Sequence, residues 1–190
     1  DGQGVKVVRS FADLKGLPQG ECIAETMVPF KNELAVIVVR NPSGEVVTYP
    51  VVEMEFHPEA NQVEYVICPA RIDAKVAAKA TEIALKVAPR PHNSGHYSIE
   101  ASYTNQFEQH IRAILDLPLG STESKVAGIM VNLVGAEGYT GDVVYENMEA
   151  ILKLEGVTPH IYGKKQTRPF RKMGHVTIVN KDISVAREIA

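Results

Sequence analysis

Glu33 to Glu55 read ELAVIVVRNPSGEVVTYPVVEME. Two runs rich in β-branched residues flank NPSG, in which Pro42 presets φ and Gly44 closes a turn. The pattern predicts a β-hairpin, one strand over Glu33–Arg40 and its return over Glu45–Glu55. A chain that commits this early to a local hairpin reads as α+β, built mostly from antiparallel strands.

Working outward, ECIAETMV (Glu21–Val28) and NQVEYVICPA (Asn61–Ala70) are read as further strands. DAKVAAKATEIALK (Asp73–Lys86) is alanine-rich, opens on a capping-type aspartate and predicts a helix. SYTNQFEQHIRAIL (Ser102–Leu115) places Tyr103, Phe107, Ile111, Ile114 and Leu115 at helical spacing, which predicts an amphipathic helix. LPLG (Leu117–Gly120) ends it. KVAGIMVNLVG (Lys125–Gly135) predicts a buried strand and DVVYENMEAILKL (Asp142–Leu154) a helix. TPHIYG and MGHVTIVN predict short strands, and SVAREIA a last helix. The loop 117–124 is the expected boundary between a lobe over 1–116 and a small β-rich lobe over 117–190.

The 190 residues are 45% hydrophobic and carry a net charge of −3. That composition suits a folded domain and gives no general attraction to nucleic acid or an anionic membrane. No apolar run reaches 18 residues, so no membrane span is expected, and the mild charge balance leaves no nucleic-acid partner expected either. Cys22 and Cys68 sit in apolar runs and are expected to be buried thiols. The chain begins with Asp1 and no signal peptide, and is expected to be a piece of something longer from the cytoplasm.

Two clusters carry chemistry. VAPRPHNSGHYSIE (Val87–Glu100) packs Arg90, His92, Asn93 and His96 into a segment stiffened by prolines. An arginine fork on such a loop suits a carboxylate, phosphate or bicarbonate. The plain alternative is a rigid turn whose side chains bond neighbouring backbone. His92 and His96 would suit zinc only on a helix, which Pro91 and Ser94–Gly95 oppose, so no metal site is assigned. YGKKQTRPFRKMGH (Tyr162–His175) holds Lys164, Lys165, Arg168, Arg171 and Lys172 between two strands. It reads either as an anion pocket, for which phosphate is the natural ligand, or as a solvated face. DGQG at the start is a weak glycine signal, and Glu25 and Glu33 are surface carboxylates unless a hydroxyl or amine meets them.

APRPHNSGHY, NQFEQHIRAILDLPLG and YGK…RP.RKMGH, in that order, resemble the N5-carboxyaminoimidazole ribonucleotide synthetase family, the ATP-grasp ATPase subunit of phosphoribosylaminoimidazole carboxylase. The resemblance covers the chain from Asp1 to its end and implies the C-terminal portion of that enzyme: a partial ATP-grasp domain over 1–116 and the small C-terminal domain over 117–190. It implies ATP-dependent carboxylation of 5-aminoimidazole ribonucleotide with bicarbonate in purine biosynthesis. Residue by residue, it assigns Gly2 and Gly4 to the loop over the nucleotide phosphates, Glu25 and Val28 to adenine, and Glu33 to the ribose. Arg90, His92 and Asn93 would face bicarbonate and substrate, while Lys164, Arg171 and Lys172 would grip the ribonucleotide phosphate. ATP and Mg²⁺ are the implied cofactors, and a homodimer is the implied assembly.

The family carries an apolar hairpin, with a glutamate and then an Asn-Glu pair that hold Mg²⁺, ahead of the proline-rich loop. Here Leu85 and Lys86 stand in that place, and a lysine cannot coordinate Mg²⁺. The metal set is therefore read as incomplete and the chain by itself as inactive. The alternative is a truncated or degenerate relative that keeps only nucleotide or anion binding, or a structural role. A genuine peptide bond between Lys86 and Val87 would place their Cα atoms about 3.8 Å apart.

Overall fold

The computed structural model describes residues 6–17, 20–58, 62–85 and 92–190. The Lys86–Val87 junction lies outside them. Asp1–Lys31 and Asn32–Ala190 are two separate compact units. In the first, Phe11–Gly16 form a 3-10 helix. The Asp13 carboxylate accepts from the Arg9 and Ser10 N–H groups at 2.9 and 2.8 Å, which holds it below the usual carboxylate range. The strand expected over Glu21–Val28 is absent: residues 21–30 are exposed and pair with no strand. An extended segment becomes a strand only when a neighbour takes its backbone groups. Cys22 is accordingly exposed, against expectation, whereas Cys68 is buried; neither forms a disulfide.

The second unit opens on the hairpin, but in shorter pieces than the sequence pattern suggests. Glu33–Arg40 splits into β1 (Glu33–Ala35) and β2 (Val38–Arg40), and the return run into β3 (Val46–Thr48) and β4 (Val52–Phe56). Pro50 has no N–H to continue a ladder, so the return strand changes partner there. β2 and β3 pair as the hairpin, closed by Gly44 N–H donating to the Asn41 carbonyl at 3.0 Å, with Gly44 at φ +93°. β1 pairs instead with β4 in the main sheet.

β5 (Val63–Cys68) follows. α1 (Ala74–Ala84) is capped as expected: Asp73 accepts from the Lys75 N–H at 2.7 Å. A 3-10 turn at Asn93–Gly95 leads into α2 (Ser98–Ala101) and α3 (Gln106–Ile114). Then come β6 (Ala127–Val134), β7 (Gly141–Asp142), α4 (Met148–Ile151), β8 (Val157–Ile161), β9 (Gln166–Thr167), β10 (Lys172–Asn180) and α5 (Ile183–Ile189). One antiparallel sheet runs β1-β4-β5-β6-β10-β8, so strands from both sides of residue 117 share it. No helix among the described residues is long and apolar enough to cross a membrane.

Alternation along the strands gives the sheet two apolar faces. Val66, Cys68 and Met130 pack with Tyr97 and Ala101 on one side. Ile67, Ile129, Val176 and Ile178 pack with Ala186 of α5 on the other. Glu53, only 5% exposed, is gripped by Arg71 through two bonds of 3.0 and 3.1 Å and by Asn32 at 2.7 Å. The Arg71 guanidinium, more than any other neighbour, holds that carboxyl below its ordinary range.

Two helices depart from expectation. α3 is where it should be, but its apolar stripe faces out: Phe107, Ile111, Ile114 and Leu115 are exposed, while Gln106 and Gln109 are buried. Gln109 donates to the Gly120 carbonyl at 2.6 Å and accepts from its N–H at 2.9 Å. Gln106 does the same for both backbone groups of His92. Two irregular loops thus find partners on the polar side of the helix, and that decides which side is covered. The helix expected over Asp142–Leu154 shrinks to α4, because Gly141 and Asp142 pair with β9 and the Val143 N–H goes to the Lys165 carbonyl at 3.0 Å.

Candidate functional site

The expected site residues fall into three groups. Gly2, Gly4 and Arg90 lie outside the described residues. Glu25 and Val28 lie on the exposed 21–30 segment of the first unit, and Glu33 opens β1 opposite Met54. The third group, on the proline-rich loop and in the basic cluster, is largely brought together.

His92 caps the 3-10 turn, its ring Nδ1 accepting from the Ser94 N–H at 3.3 Å. That turn sends Asn93 inward, where its amide and that of Asn132 on β6 bond reciprocally at 3.2 and 3.1 Å. The Asn93 Oδ1 also accepts from the Lys172 Nζ at 3.1 Å. The Lys164 Nζ donates to the Lys172 carbonyl. Asn93, Lys172 and Lys164 therefore form one bonded set, with both lysines half-buried. Burial first, then the Lys164 charge, lowers the Lys172 pKa. Arg171 is exposed and its Nη1 donates to the Gln166 carbonyl at 2.9 Å, holding it against its own loop.

Beside this set lies an arrangement that sequence reasoning missed. Asn132, His175 and His160 are direct partners across β6, β10 and β8, so they form one row on one face. Facing them, Asn93, His96 and Glu100 follow one another at helical spacing along the 3-10 turn and α2. Each meets its counterpart: Asn93 bonds Asn132, the His96 ring lies 4.9 Å from that of His175, and Glu100 Oε1 takes the His160 Nε2 at 2.7 Å. His160 stacks on His175 at 4.4 Å and 14°. The Tyr162 hydroxyl is 3.0 Å from His175 Nδ1.

His96 and His175 stay neutral at neutral pH. Burial pushes His175 down to about 3, with help from His96 and His160. Burial pushes His96 down to about 4, with Lys172 as the next contributor. Gln106, already oriented by both backbone groups of His92, donates to His96 Nδ1 at 2.8 Å, which leaves the His96 proton on Nε2. Burial also raises the Tyr162 pKa. The cluster thus presents two ammonium groups and an amide beside the neutral His96 and His175 rings, which suits a phosphate dianion. Among the described residues no three His, Cys, Asp or Glu side chains are placed to hold a metal ion.

The 3.6-residue spacing of 93, 96 and 100 was visible in the sequence. Its match to a row whose residues lie 39, 60 and more positions further along was not, since strand register is a tertiary fact.

Comparison with known proteins gives two family matches. The ATP-grasp domain family matches residues 1–88, and the phosphoribosylaminoimidazole carboxylase C-terminal domain family matches residues 128–189. The N5-carboxyaminoimidazole ribonucleotide synthase of Synechocystis sp. is 36% identical, over 96% of this chain and 56% of its own length. That alignment runs over 223 positions, more than the chain contains, so the relative carries residues within the matched span that this chain lacks. The crystal structure of N5-carboxyaminoimidazole ribonucleotide synthetase from Thermotoga maritima is 46% identical, with a TM-score of 0.84 over 95% of this chain and 55% of that one. The N5-carboxyaminoimidazole synthase of Aspergillus clavatus, in complex with ADP and 5-aminoimidazole ribonucleotide, is 33% identical, with a TM-score of 0.74 over 84% of this chain and 50% of that one. The chain spans about half the length of the relatives it matches.

Proposed function

The chain belongs to the N5-carboxyaminoimidazole ribonucleotide synthetase family, and on that premise we propose that it serves ATP-dependent carboxylation of 5-aminoimidazole ribonucleotide in purine biosynthesis. In that reaction ATP phosphorylates bicarbonate, and the substrate amine captures the carboxyl carbon as phosphate leaves. Its cofactors would be ATP and Mg²⁺, its setting the cytoplasm, and its assembly a homodimer.

This chain's part in the reaction is to hold substrate. Lys164 and Lys172 take the ribonucleotide phosphate, and Asn93, bonded to Lys172, ties that grip to the loop of Arg90 and His92 that faces bicarbonate. Glu25, Val28 and Glu33, with Gly2 and Gly4, would meet the nucleotide. Arg171 would join the phosphate by letting go of the Gln166 carbonyl. The division into a partial ATP-grasp domain over 1–116 and a small domain over 117–190 belongs to this reading and is supported by the two family matches. The observation that carries the reading is the Lys172–Asn93 bond of 3.1 Å, which links the two segments singled out for anion chemistry.

A second reading has its own support. An alignment longer than the chain favours a form that binds substrate without turning it over. The test uses the 190-residue chain with 5-aminoimidazole ribonucleotide, bicarbonate and MgATP. Saturable ribonucleotide binding, lost in Lys172→Met, supports the substrate grip; no binding overturns it. ADP release that depends on both bicarbonate and ribonucleotide would refute the binding-only reading.

A further inference from the structure

We propose that Glu100 and His160 are positioning residues for the phosphate grip: acting through His175 and Tyr162, they fix where the Lys164 ammonium sits. The inference rests on the reading above, in which Lys164 and Lys172 take the ribonucleotide phosphate.

Two hydrogen bonds, a ring stack and a cation–ring contact make the links. The Glu100 carboxylate accepts from His160 Nε2 at 2.7 Å. His160 lies flat on His175 at 4.4 Å, so turning one ring disturbs the other. His175 Nδ1 holds the Tyr162 hydroxyl at 3.0 Å, and the Lys164 Nζ lies 5.7 Å over the Tyr162 ring. A lysine is a point charge on a flexible stem, and its usefulness in a site depends on what restrains it. Here one restraint is the Lys172 carbonyl and the other is the face of Tyr162.

Packing alone does not account for the array. On the opposite face the neighbouring strands meet in an apolar row, Ile129, Ile178 and Val157. The row of Asn132, His175 and His160 instead buries polar groups, each of which needs partners to offset its desolvation. His175 is 3% exposed, and its Nε2 has no hydrogen-bond partner; neither has the second carboxylate oxygen of Glu100. A cluster chosen only for stability would do better with leucine or valine. What the polar residues add is a fixed ring orientation, handed along to the base of the basic cluster.

The test uses the 190-residue chain and two readouts. The first is the ring-current shift that Tyr162 imposes on the ε-methylene of Lys164, read by NMR without ligand. The second is the affinity for ribose 5-phosphate. Glu100→Ala and Tyr162→Phe should move the Lys164 resonance and weaken ribose 5-phosphate about fivefold, the order of a coupling within one hydrogen-bond network. Glu100→Gln still offers His160 an acceptor, so both readouts should return to wild type. An unchanged Lys164 resonance in folded Glu100→Ala overturns the proposal. Should that variant fail to fold, an unchanged Lys164 resonance in Tyr162→Phe, which removes the hydroxyl that His175 holds, overturns the proposal. If the resonance responds but the wild-type chain does not bind ribose 5-phosphate, the phosphate reading fails and the positioning of Lys164 stands.

Discussion

Lowering the pH from 7 to 5 should destabilise the Asn32–Ala190 unit by about 3 kcal/mol, and the buried imidazoles should account for it. An unfolded histidine titrates near 6.5. In the fold, His175 is held down to about 3 and His96 to about 4. Between those limits the unfolded chain binds more protons than the native one, so stability is complete above the unfolded pKa and is lost as pH falls below it. At pH 5 the unfolded state gains about 2 kcal/mol per such histidine from protonation the native state refuses. His175, at 3% exposure, takes that value in full. His96 is partly reached by solvent, which reduces its share to about 1 kcal/mol. Glu53 works in the same direction, but its lowered pKa removes stability only below the ordinary carboxylate range, so it stays out of this window. Urea unfolding followed by far-ultraviolet circular dichroism at pH 7, 6 and 5, at constant ionic strength, reads the change as a shift in midpoint at constant slope. His175→Gln will start from a lower stability, but its loss over the same window should shrink to about 1 kcal/mol, the share left to His96. A wild-type stability that is flat between pH 7 and 5, or a variant with the wild-type pH slope, refutes the neutral-imidazole account.

Lys172→Met should weaken ribonucleotide binding by about 10- to 100-fold, the worth of a charge-assisted bond to phosphate, as calorimetry would show. Arg71→Ala leaves Glu53 as an unpaired buried carboxylate and should cost about 3 kcal/mol, seen as a lower thermal midpoint. On α3 the expected ranking inverts the usual one. Ile111→Ser should change stability by less than about 0.5 kcal/mol, while Gln109→Ala, which orphans both backbone groups of Gly120, should cost about 2 kcal/mol.

The same helix shows where sequence reading stops. Periodicity locates α3, and Asn105 caps it by accepting from the Phe107 and Glu108 N–H groups. Which side is covered depends instead on loops at His92 and Gly120 whose backbone had to be satisfied. The turn at Asn41–Gly44 and the cap of α1 are legible because the forces that make them act within four residues. The splitting of Glu33–Arg40 between two sheets is not, because β4 and β3 compete for that run from further along the chain. At the site, Asn93, Lys164 and Lys172 were legible from residue type and from the family resemblance. The histidine row was not, since it exists only once β8 and β10 pair in one particular register.

That row ends on β8, the last strand of the sheet, and β8 carries Pro159 in its middle. A terminal strand is ordinarily an invitation: its free N–H and C=O groups template a further strand, from a neighbour or from a misfolded copy. Pro159 has no N–H to offer, so the invitation is withdrawn next to His160. At the other end of the sheet β1 is only three residues long, too short to recruit much. Both rims are thus blunted against fibril-like growth. Replacing Pro159 with threonine should restore a docking ladder at the histidine end, and the first symptom would be self-association at concentrations where the parent chain stays dispersed.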